Sequence, residues 1–199
     1  MRFFLGAGIL VLFFAGCGKP APEPLVPPGA DIRWGFAPSA IVLQMTAASD
    51  LNVTDGAPSS LALCVYQLAS RLPAATHMVS EQGLDLLQEC RSFDPSVVVF
   101  QRVFADPGKG AELFFDREEG VHYLLVVAGY HEGTPPGMAV MEEIPVPAQE
   151  EPGWFCGLFQ SKKPEWREPS QLVMGLRLGP SGMVRRPAEQ EFGQEMGQE

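Results

Sequence analysis

Positive charge is scarce in this chain. Lys and Arg number 14 against 24 Asp and Glu in 199 residues, a formal net charge of −10. Nucleic-acid affinity rests on neutralising phosphates with Lys and Arg, so that class of partner is excluded. Adsorption to an anionic membrane through a polybasic surface is excluded on the same ground. Histidine is also sparse. His77, His122 and His131 are the only three, and none stands in H-x-x-x-H or other ligand spacing, so each reads as a packed or strand-face side chain. Catalytic motifs are missing as well. No serine sits in a G-x-S-x-G elbow. Pro107–Gly110 (PGKG) lacks the strand–loop–helix context and following Ser/Thr of a phosphate loop. Glu118-Glu119 and Glu142-Glu143 are adjacent pairs, whose side chains on a strand point to opposite faces. No C-x-x-C occurs among the four cysteines, which speaks against thiol-redox chemistry. The residues point to no enzyme, metal or cofactor.

Apolar residues, by contrast, make up 46% of the chain, enough for one core, while 19 prolines and 21 glycines predict many turns and short elements. Met1–Cys17 has one basic residue, Arg2, then an apolar run from Phe3 to Ala15 and small residues. This reads as a secretory signal peptide, too short to span a bilayer itself. Its ending, Phe14-Ala15-Gly16-Cys17, resembles a bacterial lipobox with Phe14 in place of the usual Leu. That resemblance implies a covalent lipid on Cys17. No Asp follows Cys17, which implies the outer membrane, facing the periplasm. Residues 18–39 read as a linker, since Gly18–Gly29 holds five prolines and no apolar period. Trp34 and Phe36 are placed to pack back on the domain edge.

The folded domain is expected over residues 40–180. Ile41, Leu43, Met45 and Ala47 alternate with polar residues, and Leu61, Leu63 and Val65 repeat the pattern, so both stretches read as half-buried strands. Ser49–Ser60 between them carries Asp, Asn, Gly and Pro, and reads as a loop held open rather than closed in a tight turn. Pro73 and Thr76 mark a break. Ser80 is set to cap a short helix over Glu81–Cys90, with Leu84, Leu87 and Cys90 on its buried face. Ser96–Phe104 and Glu112–Asp116 read as a hairpin joined by a type II turn at Pro107-Gly108. Val121–Tyr130 reads as a central strand covered on both faces. Met138–Val146 reads as an edge strand, and Gln171–Leu178 as a strand with Leu172, Met174, Leu176 and Leu178 inward. Residues 181–199 read as a disordered acidic tail. The architecture expected is mainly β, a two-sheet sandwich with one short helix. In an oxidising compartment Cys64, Cys90 and Cys156 allow one disulfide in three pairings, and buried free thiols are an equal alternative. Cys64 and Cys90 meet if the helix packs over the sheet.

The order of these pieces resembles the TssJ lipoproteins of type VI secretion systems. The lipobox is followed by Thr46–Asn52 (TAASDLN), a Gly/Pro loop, Val65–Leu68 (VYQL), Leu84–Leu87 (LDLL), Pro107-Gly108 and Leu124–Tyr130 (LLVVAGY). The resemblance covers Ile41–Tyr130 by motif and Met138–Leu178 by pattern only. It implies a transthyretin-like sandwich on the inner face of the outer membrane, binding the periplasmic C-terminal part of the inner-membrane protein TssM within a larger membrane complex. It also implies that the loop between the first two strands touches TssM. By position that loop is Asp50, Leu51, Asn52, Val53, Thr54, Asp55, Gly56, Ala57, Pro58 and Ser59. Deleting it is expected to abolish binding and leave the thermal transition intact. The loop at Glu150–Pro169 and the acidic tail have no counterpart in the resemblance.

Two readings of other classes compete. One is a periplasmic carrier or sensor sandwich that holds a small apolar ligand near Trp154, Phe155 and Trp166, which retained ligand in native mass spectrometry would reveal. The other is a cell-wall hydrolase or binding module.

Overall fold

A computed structural model describes residues 32–132, 137–147 and 167–186. Ten elements follow in chain order. They are β1 (Ala37–Ala47), β2 (Leu61–Leu68), α1 (Leu72–His77), α2 (Glu81–Gln88), β3 (Val97–Ala105), β4 (Gly110–Arg117), β5 (Tyr123–Ala128), β6 (Ala139–Glu143), β7 (Leu172–Leu178) and β8 (Met183–Arg186). They form two four-stranded sheets, ordered β4-β1-β7-β8 and β3-β2-β5-β6. Only β1 and β7 run parallel; the other pairs are antiparallel.

The period-2 patterns build the core between the sheets. Ile41, Leu43 and Met45 of β1, Leu61, Leu63 and Val65 of β2, and Leu172, Met174, Leu176 and Leu178 of β7 are all buried. Each such side chain contributes about 1.5–3 kcal/mol by leaving water. β5 is covered on both faces. Leu124, Val126 and Ala128 share the inward row with Leu63 and Val65, while Leu125 and Val127 share the outward row with Cys64 and Tyr66, over which α2 packs.

α2 starts where its cap is legible: Ser80 Oγ accepts the Gly83 N–H at 3.1 Å. Leu84 and Leu87 are buried beneath it. Gly83, a weak helix former, has a packing reason. A Cβ there would collide with the backbone of His77 at the end of α1. Cys64 and Cys90 form a disulfide with Cα atoms 5.4 Å apart, fastening the chain after α2 to the outward face of β2. Tyr66 adds a second fastening, its hydroxyl donating to the Leu87 carbonyl at 2.6 Å.

Three local expectations are corrected. Leu72–His77 is a helix, not a break, because Pro73 lies in its first turn, where the missing N–H needs no partner. The turn at Pro107-Gly108 forms as expected, with the Lys109 N–H on the Asp106 carbonyl at 3.2 Å and Gly108 at φ +72°. The strands it joins are not a hairpin. β3 pairs with β2 and β4 with β1, so the turn passes the chain between sheets. Met183–Arg186 is a strand on β7, extending ordered structure beyond residue 180. The loop between β1 and β2 likewise crosses between sheets rather than joining neighbours.

Before β1, a strap at residues 32–36 lies on the domain. Arg117, only 3% exposed, donates to the carbonyls of Gly35 and Pro169 at 3.0 and 3.4 Å. Its guanidinium sits 5.9 Å from the Trp34 ring, which stacks on His122 at 3.9 Å. Trp34 thus packs as expected, whereas Phe36 remains exposed.

Candidate recognition loop

The chain leaves β1 at Ala47, whose N–H bonds the Lys109 carbonyl at 2.9 Å, while the Ala48 carbonyl accepts from Gly108 at 3.0 Å. These bonds set the start of the loop against the turn between β3 and β4. The next step is an anchor. Leu51 is fully buried (0% exposed), and its carbonyl accepts the Ser59 N–H at 3.0 Å.

Asn52 is the hub. It is 8% exposed and sits at φ +45°, a left-handed backbone that Asn tolerates better than most residues. Its Nδ2 donates to Ser59 Oγ at 3.0 Å and to the Ser60 carbonyl at 3.4 Å, and Ser59 Oγ donates back to the Asn52 carbonyl at 2.6 Å. Asn52 Oδ1 accepts the His131 N–H at 2.9 Å, tying the loop to the chain after β5.

Beyond the hub the loop closes on itself. Thr54 and Ala57 exchange backbone bonds of 2.9 and 3.0 Å around Asp55-Gly56, both at positive φ (+53° and +76°). That is the signature of a two-residue type I′ turn, for which Asp-Gly is a preferred pair. A tight turn therefore replaces the open loop expected from composition. Asp50, Asp55, Gly56, Ala57 and Pro58 are exposed, Val53, Thr54 and Ser59 are half-buried, and Leu51 and Asn52 are inside. Of the ten residues named from the sequence, Asp55, Gly56, Ala57 and Pro58 form the free tip, Asp50 is exposed ahead of it, and Leu51 and Asn52 hold it.

The neighbours that complete this end of the sandwich had no legible signal. Asp106 accepts from Ser60 Oγ at 2.8 Å and from Lys109 Nζ at 3.0 Å, and these bonds hold its carboxyl below the usual range. Tyr130 closes the floor behind His131, burial pushing its phenol up to about 12. His131 and Glu132 are exposed beside the loop. The loop reaches His131 through a backbone N–H 79 residues away, which no local pattern encodes.

The histidines go to separate places: His77 lies edge-on to Phe93, His122 under Trp34, and His131 at the loop. Among the described residues no group of three His, Cys, Asp or Glu is arranged to hold a metal. Cys17, Cys156, Trp154, Phe155 and Trp166 lie outside the described residues.

Known proteins match this architecture. A chain of Pseudomonas aeruginosa described as the type VI secretion lipoprotein TssJ1 superposes with a TM-score of 0.51 at 19% identity, covering 78% of this chain and 98% of that one. Serratia marcescens Lip, described as a membrane-bound component of the type VI secretion system, gives 0.51 at 20% identity, covering 75% and 98%. A chain described as the TssM C-terminal domain from EAEC gives 0.51 at 14% identity, covering 74% and 97%. At such identities these likenesses establish the fold. No curated protein sequence matches significantly. A family model described as type VI secretion lipoprotein, VasD, EvfM, TssJ, VC_A0113 matches residues 39–150, more than half the chain. This protein belongs to that family of type VI secretion lipoproteins.

Proposed function

We propose that this chain is a lipid-anchored assembly subunit that holds the periplasmic part of TssM through the loop between β1 and β2. The lipid would sit on Cys17 and fix the protein to the periplasmic face of the outer membrane, with residues 18–31 as the tether. Family membership supports the secretion-system role, and its lipoprotein character supports the anchor.

The observation that carries the recognition step is the rigidity of the loop. A flexible loop loses conformational entropy when it is ordered on a partner, about 0.5–1.5 kcal/mol for each immobilised side chain. Here Leu51, Asn52 and the Asp55-Gly56 turn have already fixed the backbone, so the exposed tip meets a partner in a set shape. The same rigidity rules out deletion of residues 50–59 as a clean probe, because it removes the buried Leu51 and would unsettle the fold.

A cleaner variant is Asp50→Lys with Pro58→Arg, at two exposed positions. Calorimetric titration of the purified chain with the TssM periplasmic domain should show affinity reduced at least about tenfold, equivalent to 1.4 kcal/mol, with an unchanged melting temperature. Unchanged affinity would remove the loop from the interface.

A further inference from the structure

A second surface lies along the side of the sandwich, independent of the loop. β3 pairs with β2 on one edge and with no described strand on the other. Soluble proteins usually guard such an edge with lysine, proline, a bulge or a short strand. β3 is nine residues long and has neither lysine nor proline, and its one irregularity against β2 is confined to its first residues, Val97–Val99. Its one charge is turned aside, since the Arg102 guanidinium donates to the carbonyls of Gln88 and Glu89 at 3.3 and 3.0 Å. Val98, Phe100 and Phe104 stand exposed on the strand, Phe104 at 64%.

β4, the edge of the other sheet, runs along the same side. The two strands do not close over one another. Their inward-facing rows (Val99 and Val103 of β3, Leu113 and Phe115 of β4) are only half-buried, unlike those of the inner strands. Between them is a cleft of about 300 Å³ walled by Val99, Phe100, Phe114 and Phe115, with Asp116 and Glu118 as its charged members. The cleft is braced by Gln67, which donates to the Asp116 carbonyl at 2.8 Å and accepts the Glu118 N–H at 3.1 Å across the two sheets. Asp116 accepts the Ser39 N–H at 2.8 Å, and neither carboxylate has a cationic partner among the described residues.

We propose that this cleft receives an extended segment of another protein, added as a strand along β3, with apolar side chains at alternate positions and a Lys or Arg facing Asp116 and Glu118. The free ladder groups of β3 demand an extended backbone. The aromatic walls demand apolar side chains on every second residue. The two carboxylates set the sign of the remaining charge. A second copy of this chain fits poorly, because the inward residues of its own β3, Val99 and Val103, already face the opposite sheet of its own sandwich and have nothing to insert. The chain's own N-terminal stretch begins near the Glu118 end, where the strap bonds Gly120 and Arg117. Gly18–Gly29, however, has five prolines and no apolar alternation to offer a ladder.

The test uses the full chain in detergent and two ten-residue peptides of alternating valine and threonine, one with a central lysine and one with glutamate in its place. Hydrogen exchange is followed at β3, in the native chain and in Glu118→Lys. The lysine peptide should slow exchange of the amides of Val97–Ala105 that point away from β2 at least about tenfold more effectively than the glutamate peptide, and the variant should reverse that order. Slow exchange, in the chain alone, of the β3 amides that point away from β2, no added protection by either peptide, or equal protection by both in both proteins would each overturn the proposal.

Discussion

Replacing Asn52 tests the construction of the recognition loop, because its two contributions can be separated. In Asn52→Ala the loop loses the 2.9 Å bond from the His131 N–H and the 3.0 Å bond to Ser59 Oγ, with the 3.4 Å contact to Ser60 a lesser third. Two good hydrogen bonds are worth about 1–3 kcal/mol together. Alanine at φ +45° adds about 1 kcal/mol of left-handed strain. The sum predicted for Asn52→Ala is about 2–4 kcal/mol. Glycine accepts the backbone without strain but makes no side-chain bonds, and its entropy loss of about 0.5–1 kcal/mol offsets most of the strain relieved, so Asn52→Gly should be no worse than Asn52→Ala and milder by up to about 0.5 kcal/mol. Urea unfolding at equilibrium measures both variants, read as a shift in midpoint at constant slope. Asn52→Gly more destabilising than Asn52→Ala would refute the backbone argument, and losses near zero in both would refute the hub itself.

Two further predictions concern the rest of the domain. Opening the disulfide frees the loop it closes between Cys64 and Cys90, which are 26 positions apart in sequence. Loop-closure entropy alone puts the loss at about 3–4 kcal/mol, so Cys64→Ala with Cys90→Ala should melt well below the native chain, and an unchanged melting curve would show that helix packing alone holds this face. Burial lowers the pKa of His122, against an upward pull from Glu143, so the folded state binds its proton more weakly than the unfolded chain does. Stability should therefore be full above about pH 6.5 and fall as pH drops from there through the lower folded value. Urea midpoints between pH 7.5 and 5 should show that fall in the native chain and less of it in His122→Gln; identical profiles would exclude His122 as its source.

The elements themselves were largely legible because alternation reports burial directly. Leu172, Met174, Leu176 and Leu178 were named as an inward row and are one. Ser80 marked its helix start because a cap is a local interaction between residues three apart. Strand pairing was not legible in the same way. An alternating strand shows which face is buried, but not which sheet it joins, so Pro107-Gly108 looked like a hairpin although it hands the chain from one sheet to the other. The parallel pairing of β1 with β7 spans more than a hundred residues and leaves no local trace. For the site, composition located the loop at Ser49–Ser60, and the resemblance to TssJ lipoproteins singled out Asp50–Ser59 within it. Composition misjudged its character, because Asp55-Gly56 was counted among loop-opening residues when that dipeptide also favours a type I′ turn. Leu51 and Asn52 were read as contact surface and instead serve as its foundation. The β3 edge was apparent as a β-rich run, but its exposure depends on what fails to pair with it, which only the sheet order reveals.

The central claim is that the exposed tip of the loop between β1 and β2 meets the inner-membrane partner. A hydrogen-exchange footprint of the full chain mixed with the TssM periplasmic domain measures this directly. The account predicts slowed exchange over Val53–Ala57, centred on the turn at Asp55-Gly56. A complex that forms while those amides exchange at their free rate would contradict it.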